Sequence, residues 1–328
     1  MKEAFIIAEI AQGFEGDVKL CKTFITQAKK VGAHAVKFQI FLASELCRKD
    51  YAYYDLFKGL EIPPTEWGKL VSYAKEIGID FYADIFGLET LAWMMETDVK
   101  GIKIHGSDIK NYPLLEGVSK FNGTIILSLG GSELSEVEKA LTYLKGKKVV
   151  LMSGFQGEPN QPEDVELNKI KYLNEKFKLD VGYADHIDAD DTTLAISLPA
   201  MAYLNGASVI EKHLTIDRNN LQLEDYVSAL NPSEFIQMVK LIKGVERFNH
   251  TTEYKLTERE REYRKNTKKV PVAKRNLTAG SVLTVNDIDL LRVGEEKPKN
   301  LLDHDQIIGK KLIKSLDAQS VIHVENLS

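Results

Sequence analysis

A chain of 328 residues, 44% hydrophobic and with a formal charge of −5, has room for one large and one small domain and a sizeable buried core. The mild acidity gives no electrostatic footprint for nucleic acid, and no apolar run approaches the roughly 20 residues that cross a bilayer, so neither is an expected partner. The two cysteines, Cys21 and Cys47, lack metal-ligand spacing; with an N-terminus that reads as a strand and not a signal peptide, they fit a reduced, cytoplasmic setting.

Eight short apolar runs follow one another along the chain: 4–10, 35–41, 79–86, 101–106, 124–130, 148–154, 179–185 and 208–214. Amphipathic helical patterns separate them. In the first, Val18, Cys21, Phe24, Ile25, Ala28 and Val31 share one face, with Asp17 as N-cap and Gly32 as stop. The second runs from Thr65 to Gly78, and "NPSEFIQMVKLIKGVERF" supplies the eighth. Strand–helix alternation with apolar strands implies parallel pairing buried on both faces. Eight units fit a closed (β/α)8 barrel better than an open doubly wound sheet, for which no glycine-rich nucleotide fingerprint is present.

Beyond this the texture changes. The charged stretch 249–269 reads as a linker, partly helical. The segments "LTAGSVLTVNDI" (277–288) and "LDAQSVIHVENL" (316–327) form a weak internal repeat. The expected organisation is a barrel over 1–248, a linker over 249–268 and a small β-rich domain over 269–328.

Barrel enzymes place their chemistry at the C-terminal ends of the strands. The polar residues found there are Glu9; Lys37 and Gln39; Asp84; Lys103, Ser107 and Asp108; Ser128; Ser153; Asp185 and His186; and Glu211, Lys212 and His213. His186 and His213 form a matched pair on the last two strands. As neutral imidazoles they can share one divalent cation, with Asp185 or Glu211 orienting a ring; the alternative is that each is a satisfied core or surface residue. His105, on the fourth strand, has no evident partner. Lys37 and Lys103 each interrupt an apolar run. They read either as outward, snorkelling side chains or, with nearby hydroxyls, as an anion site. Cation and anion sites together point to a metal-dependent lyase, aldolase or synthase.

The motifs "AEIAQGFEGD", "VGAHAVKFQ", "IKIHGSDIKNYPLL", "IILSLGG", "GYADHID", "GASVIEKHLTID" and "LEDYVSALNP" resemble those of the sialic acid synthase family, and "VAKRNLTAGSVLTVNDIDLLRVGEE" resembles its antifreeze-like SAF domain. The resemblance implies a TIM barrel followed by that small domain, in a domain-swapped homodimer. It also implies condensation of phosphoenolpyruvate with an N-acetylamino sugar to a nine-carbon 2-keto acid, with release of phosphate. By the same resemblance His186 and His213 hold a divalent metal, manganese or magnesium. Lys37 and Lys103, with Gln39, Ser107 and Ser128, bind phosphoenolpyruvate. Glu9 lies near the acceptor sugar, Asp108 takes the proton-transfer position, Asp225 contacts sugar hydroxyls, and Arg292 reaches over from the partner's small domain.

Several positions depart from the family pattern. Asn-His becomes Gly13-Phe14, "STPF" becomes "ADIF" with Asp84 where a threonine meets phosphate, and "SDH" becomes "ADH" with Ala184. An anion at position 84 repels a phosphate unless a cation or proton intervenes. These changes keep two alternatives open: an aldolase using pyruvate, and a sugar-binding paralogue without turnover.

Overall fold

The eight apolar runs form eight strands: β1 (Phe5–Ala11), β2 (Ala35–Ile40), β3 (Asp80–Ile85), β4 (Gly101–Ile104), β5 (Thr124–Ser128), β6 (Val149–Ser153), β7 (Asp180–Asp185) and β8 (Val209–His213). Each pairs in parallel with the next, and β8 pairs with β1 to close the barrel. The computed structural model describes residues 2–157, 159–248, 253–294 and 302–328. The chain divides into two compact units, Met1–Asn249 and His250–Ser328. Residues 249–252 of the expected linker lie outside the described residues.

Strand alternation sends one set of side chains into the barrel and the other toward the helices. Ile7, Ala35, Tyr82, Ile126, Val150, Met152, Ala184 and Val209 make up the apolar interior cluster. Gly101 makes room for it, because a Cβ there would lie 1.9 Å from the Tyr82 ring. Two residues further along the same strands, on the same face, stand Glu9, Lys37, Asp84, Lys103, Ser128 and Glu211. The apolar cluster is thus a floor and the polar residues lie above it, toward the C-terminal mouth.

The outward set, including Ile6, Phe38, Phe81, Ile102, Ile125, Leu151, Val181 and Ile210, packs in the main core beneath the helices. The helix Val18–Lys30 is capped by Asp17, whose carboxylate accepts from the Lys19 N–H at 2.7 Å. The helix expected from Thr65 begins at Pro64. Proline suits the first helical turn, where its missing N–H costs no bond. The helix ends at Gly78 in a left-handed conformation, φ 77°. Asn231 and Glu234 form a capping box for the helix Pro232–Glu246.

Phe14 is buried and meets Phe38 and Trp67 edge-on, with ring centroids 6.0 and 5.5 Å away. The Gly13-Phe14 departure is therefore absorbed by core packing.

In the second unit a capped helix, Glu258–Thr267, precedes an antiparallel pair, β9 (Val270–Ala273) and β10 (Ile288–Leu291). The sequence repeat is a structural repeat. Leu277 and Leu316 pair with each other. Gly280 and Gln319, at equivalent positions, both take positive φ. Each copy ends in a 3-10 turn, Val285–Asp287 and Val324–Asn326, closed by a capping box. Leu277, Leu283, Leu312, Leu316 and Ile322 meet in one small core.

Candidate active site

β1, β2, β3, β4 and β8 bring five buried charges to the barrel mouth. Lys37 pairs with Glu9, with Asp84 at 3.3 Å and with Glu211 at 3.6 Å. Lys103 pairs with Glu211 at 2.7 Å and with Asp84 at 3.4 Å. The strand register explains the cluster: Glu9 stands opposite Lys37, and Asp84 opposite Lys103. Both lysines therefore point inward, and the snorkelling alternative is excluded. A buried charge is costly unless paired, and here two ammonium groups face three carboxylates. Burial pushes the Glu9 carboxyl up against the pull of Lys37. Burial would raise Glu211 as well, but Lys103 and Lys37 outweigh it and hold Glu211 down at about 2. Burial also works against the Lys37 charge, yet Glu211, Glu9 and Asp84 together raise its pKa.

Beside this cluster the His186 and His213 rings meet at 5.0 Å, edge to face. Burial lowers His186 to about 3, assisted by Lys103. Burial lowers His213 well below the usual range, assisted by His186. Both imidazoles are neutral, the form that ligates metals. The Nδ1 of His186 is buried and has no hydrogen-bond partner among the described residues. Two facing neutral imidazoles with a spare nitrogen fit a two-histidine donor set. No cluster of three or more metal-ligating side chains occurs among the described residues, so water or substrate would complete the coordination of a cation there.

Asp185 and Glu211 do not orient the histidines. Asp185 points outward, where it meets Lys212 at 2.9 Å and accepts from the Ile187 N–H at 3.1 Å. Glu211 is committed to the lysines. The residue that holds His186 in place is one that strand-end reasoning missed. Asn160 is buried, and its N–H donates to the His186 carbonyl at 2.8 Å. Its side chain bonds Phe155 O at 2.7 Å and Gly157 N at 2.8 Å, closing the loop after β6 on itself. The signal is an asparagine in a glycine- and proline-rich loop, where side-chain-to-backbone bonds build turns.

The remaining candidates distribute as follows. Gln39 accepts from Gln12 Nε2 at 2.9 Å. Ser128 is buried at the end of β5. Ser107 is exposed, bonding His105 Nδ1 at 2.9 Å and Asp108 Oδ2 at 3.1 Å, so His105 does have a partner. Asp108, half-buried, also accepts from Asn111 Nδ2 at 2.8 Å. Asp225 Oδ2 lies 3.9 Å from His213 Nδ1. Ser153 turns away from the mouth into a cavity of about 570 Å³ on the outer side of β5 and β6, shared with Leu129, Phe155, Tyr172 and Tyr183. Arg292 lies in the second unit, where its Nε donates to Thr267 O at 3.1 Å.

The chain has relatives. Residues 24–254 match the NeuB family and residues 268–327 the SAF domain. The chain belongs to the NeuB family. It is 30% identical to the N,N'-diacetyllegionaminic acid synthase of Legionella pneumophila, over 98% of this chain and 94% of that one. It is 34% identical to an uncharacterized protein of Methanocaldococcus jannaschii, over 98% and 94%. Among solved structures, the N-acetylneuraminic acid synthetase of Leptospira borgpetersenii in complex with citrate superimposes with a TM-score of 0.74 at 29% identity, covering 80% of this chain and 92% of that one. In this chain the NeuB match precedes the SAF match, as the barrel precedes the small second unit. No helix among the described residues is long and apolar enough to cross a membrane.

Proposed function

We propose that this NeuB-family enzyme condenses phosphoenolpyruvate with an N-acetylamino sugar, yielding a nine-carbon 2-keto acid and phosphate. The observation that carries the reading is the meeting of two neutral imidazoles with two inward lysines at one barrel mouth, close enough that Lys103 lowers the basicity of His186.

His186 and His213 would hold a divalent cation, manganese or magnesium, which would supply a Lewis acid for the aldehyde oxygen of the open-chain sugar. Lys37 and Lys103 hold the donor's carboxylate and phosphate and stabilise charge as it shifts during condensation. Ser128, Ser107 and Gln39 add hydrogen bonds around the donor. Asp108 moves the proton of the water that adds to carbon 2: it is half-buried and fixed by Ser107 and Asn111, so it is both accessible and aimed. Glu9 is less free for that task. Its Oε1 accepts from the Ala11 N–H at 2.7 Å and its other oxygen is paired with Lys37, so it sets the position of the lysine near the acceptor. Asp225, beside His213, takes sugar hydroxyls. The working form is a cytoplasmic homodimer in which Arg292 reaches the partner's site.

The test is phosphate release from phosphoenolpyruvate against a panel of N-acetylated six-carbon sugars. At least one acceptor should support release, chelator should abolish it, and manganese or magnesium should restore it. No phosphate with any acceptor refutes the reading. Mixing inactive Lys103→Ala chains with inactive Arg292→Ala chains should restore activity in the same assay if the small domain serves the partner. A second reading, a pyruvate aldolase, draws on Asp84, whose carboxylate already lies against both lysines; an aldolase would release no phosphate.

A further inference from the structure

The five-charge cluster is closed. Glu9, Lys37, Asp84, Lys103 and Glu211 are each no more than 2% exposed. A ligand anion can therefore reach the ammonium groups only if a carboxylate yields, and the three carboxylates are not held equally. Glu9 has one oxygen on the Ala11 N–H at 2.7 Å and the other on Lys37. Glu211 has a short bond to Lys103, 2.7 Å. Asp84 makes two long contacts through one oxygen, 3.3 Å to Lys37 and 3.4 Å to Lys103. Its other oxygen, Oδ1, is buried with no partner among the described residues. Hydrogen bonds to a charged group are normally nearer 2.7–2.9 Å, so Asp84 is the carboxylate most easily moved. It is also nearly equidistant from the two cations, which is where a bound anionic group would gain most from both.

We propose that the Asp84 carboxylate is an internal occupant of the anion site: it lies between the two lysines as a ligand's anionic group would, and its presence sets how tightly a phosphorylated donor binds. The inference rests on the reading that Lys37 and Lys103 bind phosphoenolpyruvate. Repulsion from a neighbouring carboxylate grows with the charge of the ligand, so Asp84 weakens a multiply charged phosphorylated acid more than the monoanion pyruvate. Asp84 is accordingly a specificity-determining residue that narrows the preference between the two donors.

The experiment is calorimetric titration of the full-length chain and of Asp84→Asn, without acceptor sugar so that no turnover occurs, with phosphoenolpyruvate and with pyruvate, each with and without manganese. Asparagine keeps the shape and removes the charge. Phosphoenolpyruvate should bind at least about tenfold more tightly to the variant, and pyruvate about threefold, in keeping with the scaling of a Coulomb repulsion with ligand charge. Asp84→Thr, a smaller uncharged side chain, should move both affinities in the same direction. Unchanged or weaker phosphoenolpyruvate binding in a variant with native circular dichroism overturns the proposal and leaves the donor assignment standing. Failure of native and variant chains alike to bind phosphoenolpyruvate overturns both. Loss of fold in both variants also overturns it, since Asp84 is then a structural counter-ion of the lysines.

Discussion

The pair Asp185–Lys212 offers a quantitative test of how the two histidines are placed. The two residues stand opposite each other across β7 and β8, and each immediately precedes a histidine. They face outward beneath the helices, 2.9 Å apart and fully buried. At that distance and an effective dielectric of about 20, the attraction is about 6 kcal/mol. Desolvation offsets part of it, and removing one partner of a buried pair costs about 3–5 kcal/mol because a charge is left alone. Lys212→Met should therefore destabilise the barrel by about that amount. Asp185→Asn keeps an acceptor for the Ile187 N–H but leaves Lys212 without a counter-ion. That too should cost about 3–5 kcal/mol, because a buried charge is again left alone. The double variant buries no charge, and its cost should fall below about 2 kcal/mol. The coupling energy is then about 4 kcal/mol or more.

Urea unfolding followed by tryptophan fluorescence reads the barrel directly, because Trp67 and Trp93 both lie in the first unit and the sequence has no other tryptophan. Single-variant costs that simply add in the double variant would refute the pairing. A second measurement separates positioning from stability. If the pair locks the register that brings the imidazoles to 5.0 Å, manganese affinity in the double variant should fall about tenfold to a hundredfold even as stability returns. Recovery of both together would show a structural role alone.

Two further outcomes are expected. His186 and His213 have folded pKa values depressed below the unfolded value near 6.5, so the unfolded chain binds protons first as pH falls, and the stability present above about pH 6.5 is lost as pH drops toward 3; between pH 7.5 and 5.5, in chelator, each should remove about 1.4 kcal/mol. His34 and His105, lowered by burial, act in the same direction, so the comparison to make is with His186→Gln/His213→Gln, whose pH dependence should be shallower by about 2.7 kcal/mol; an equal slope would show that these imidazoles are not held neutral. Phe14→Ala should destabilise the barrel by about 3–5 kcal/mol through loss of its contacts with Phe38 and Trp67, and a cost under 1 kcal/mol in the same fluorescence assay would place Phe14 in the site and not the core.

Barrel and strand order were legible because the eight runs are rich in Val and Ile and are spaced by helical periodicity. The facing of side chains was not. A parallel strand buried on both faces shows no polar–apolar alternation, so "AVKFQ" alone does not tell whether Lys37 looks into the barrel or out. Closure decides it: Ala35 lies in the interior cluster, and Lys37 follows two residues on. The same ambiguity hid the outward direction of Asp185 and Lys212, which the sequence lists beside inward neighbours. Phe14 stood out as a departure from a motif, yet its partners Phe38 and Trp67 come from distant segments. Asn160 escaped because its tie to His186 runs through its backbone, and only its place in a glycine- and proline-rich loop marks it in the sequence.

β8 carries two charge systems back to back, and their difference explains what each can do. On the outer face one lysine meets one aspartate, the charges cancel, and Asp185 is further fixed by the Ile187 N–H. Such a pair has one favourable arrangement and serves as a clamp. On the inner face, one residue away, Glu211 joins two lysines and two more carboxylates, leaving Asp84 Oδ1 and Glu211 Oε2 buried without hydrogen bonds among the described residues. Unsatisfied charged oxygens are expensive where only stability is at stake, so a cluster that keeps them is under a different constraint. An excess carboxylate makes the inner system responsive: an arriving anion competes with Asp84, and an arriving cation relieves it. Rigid neutrality outside and imbalance inside are what a barrel needs in order to hold two imidazoles still while its lysines exchange one partner for another.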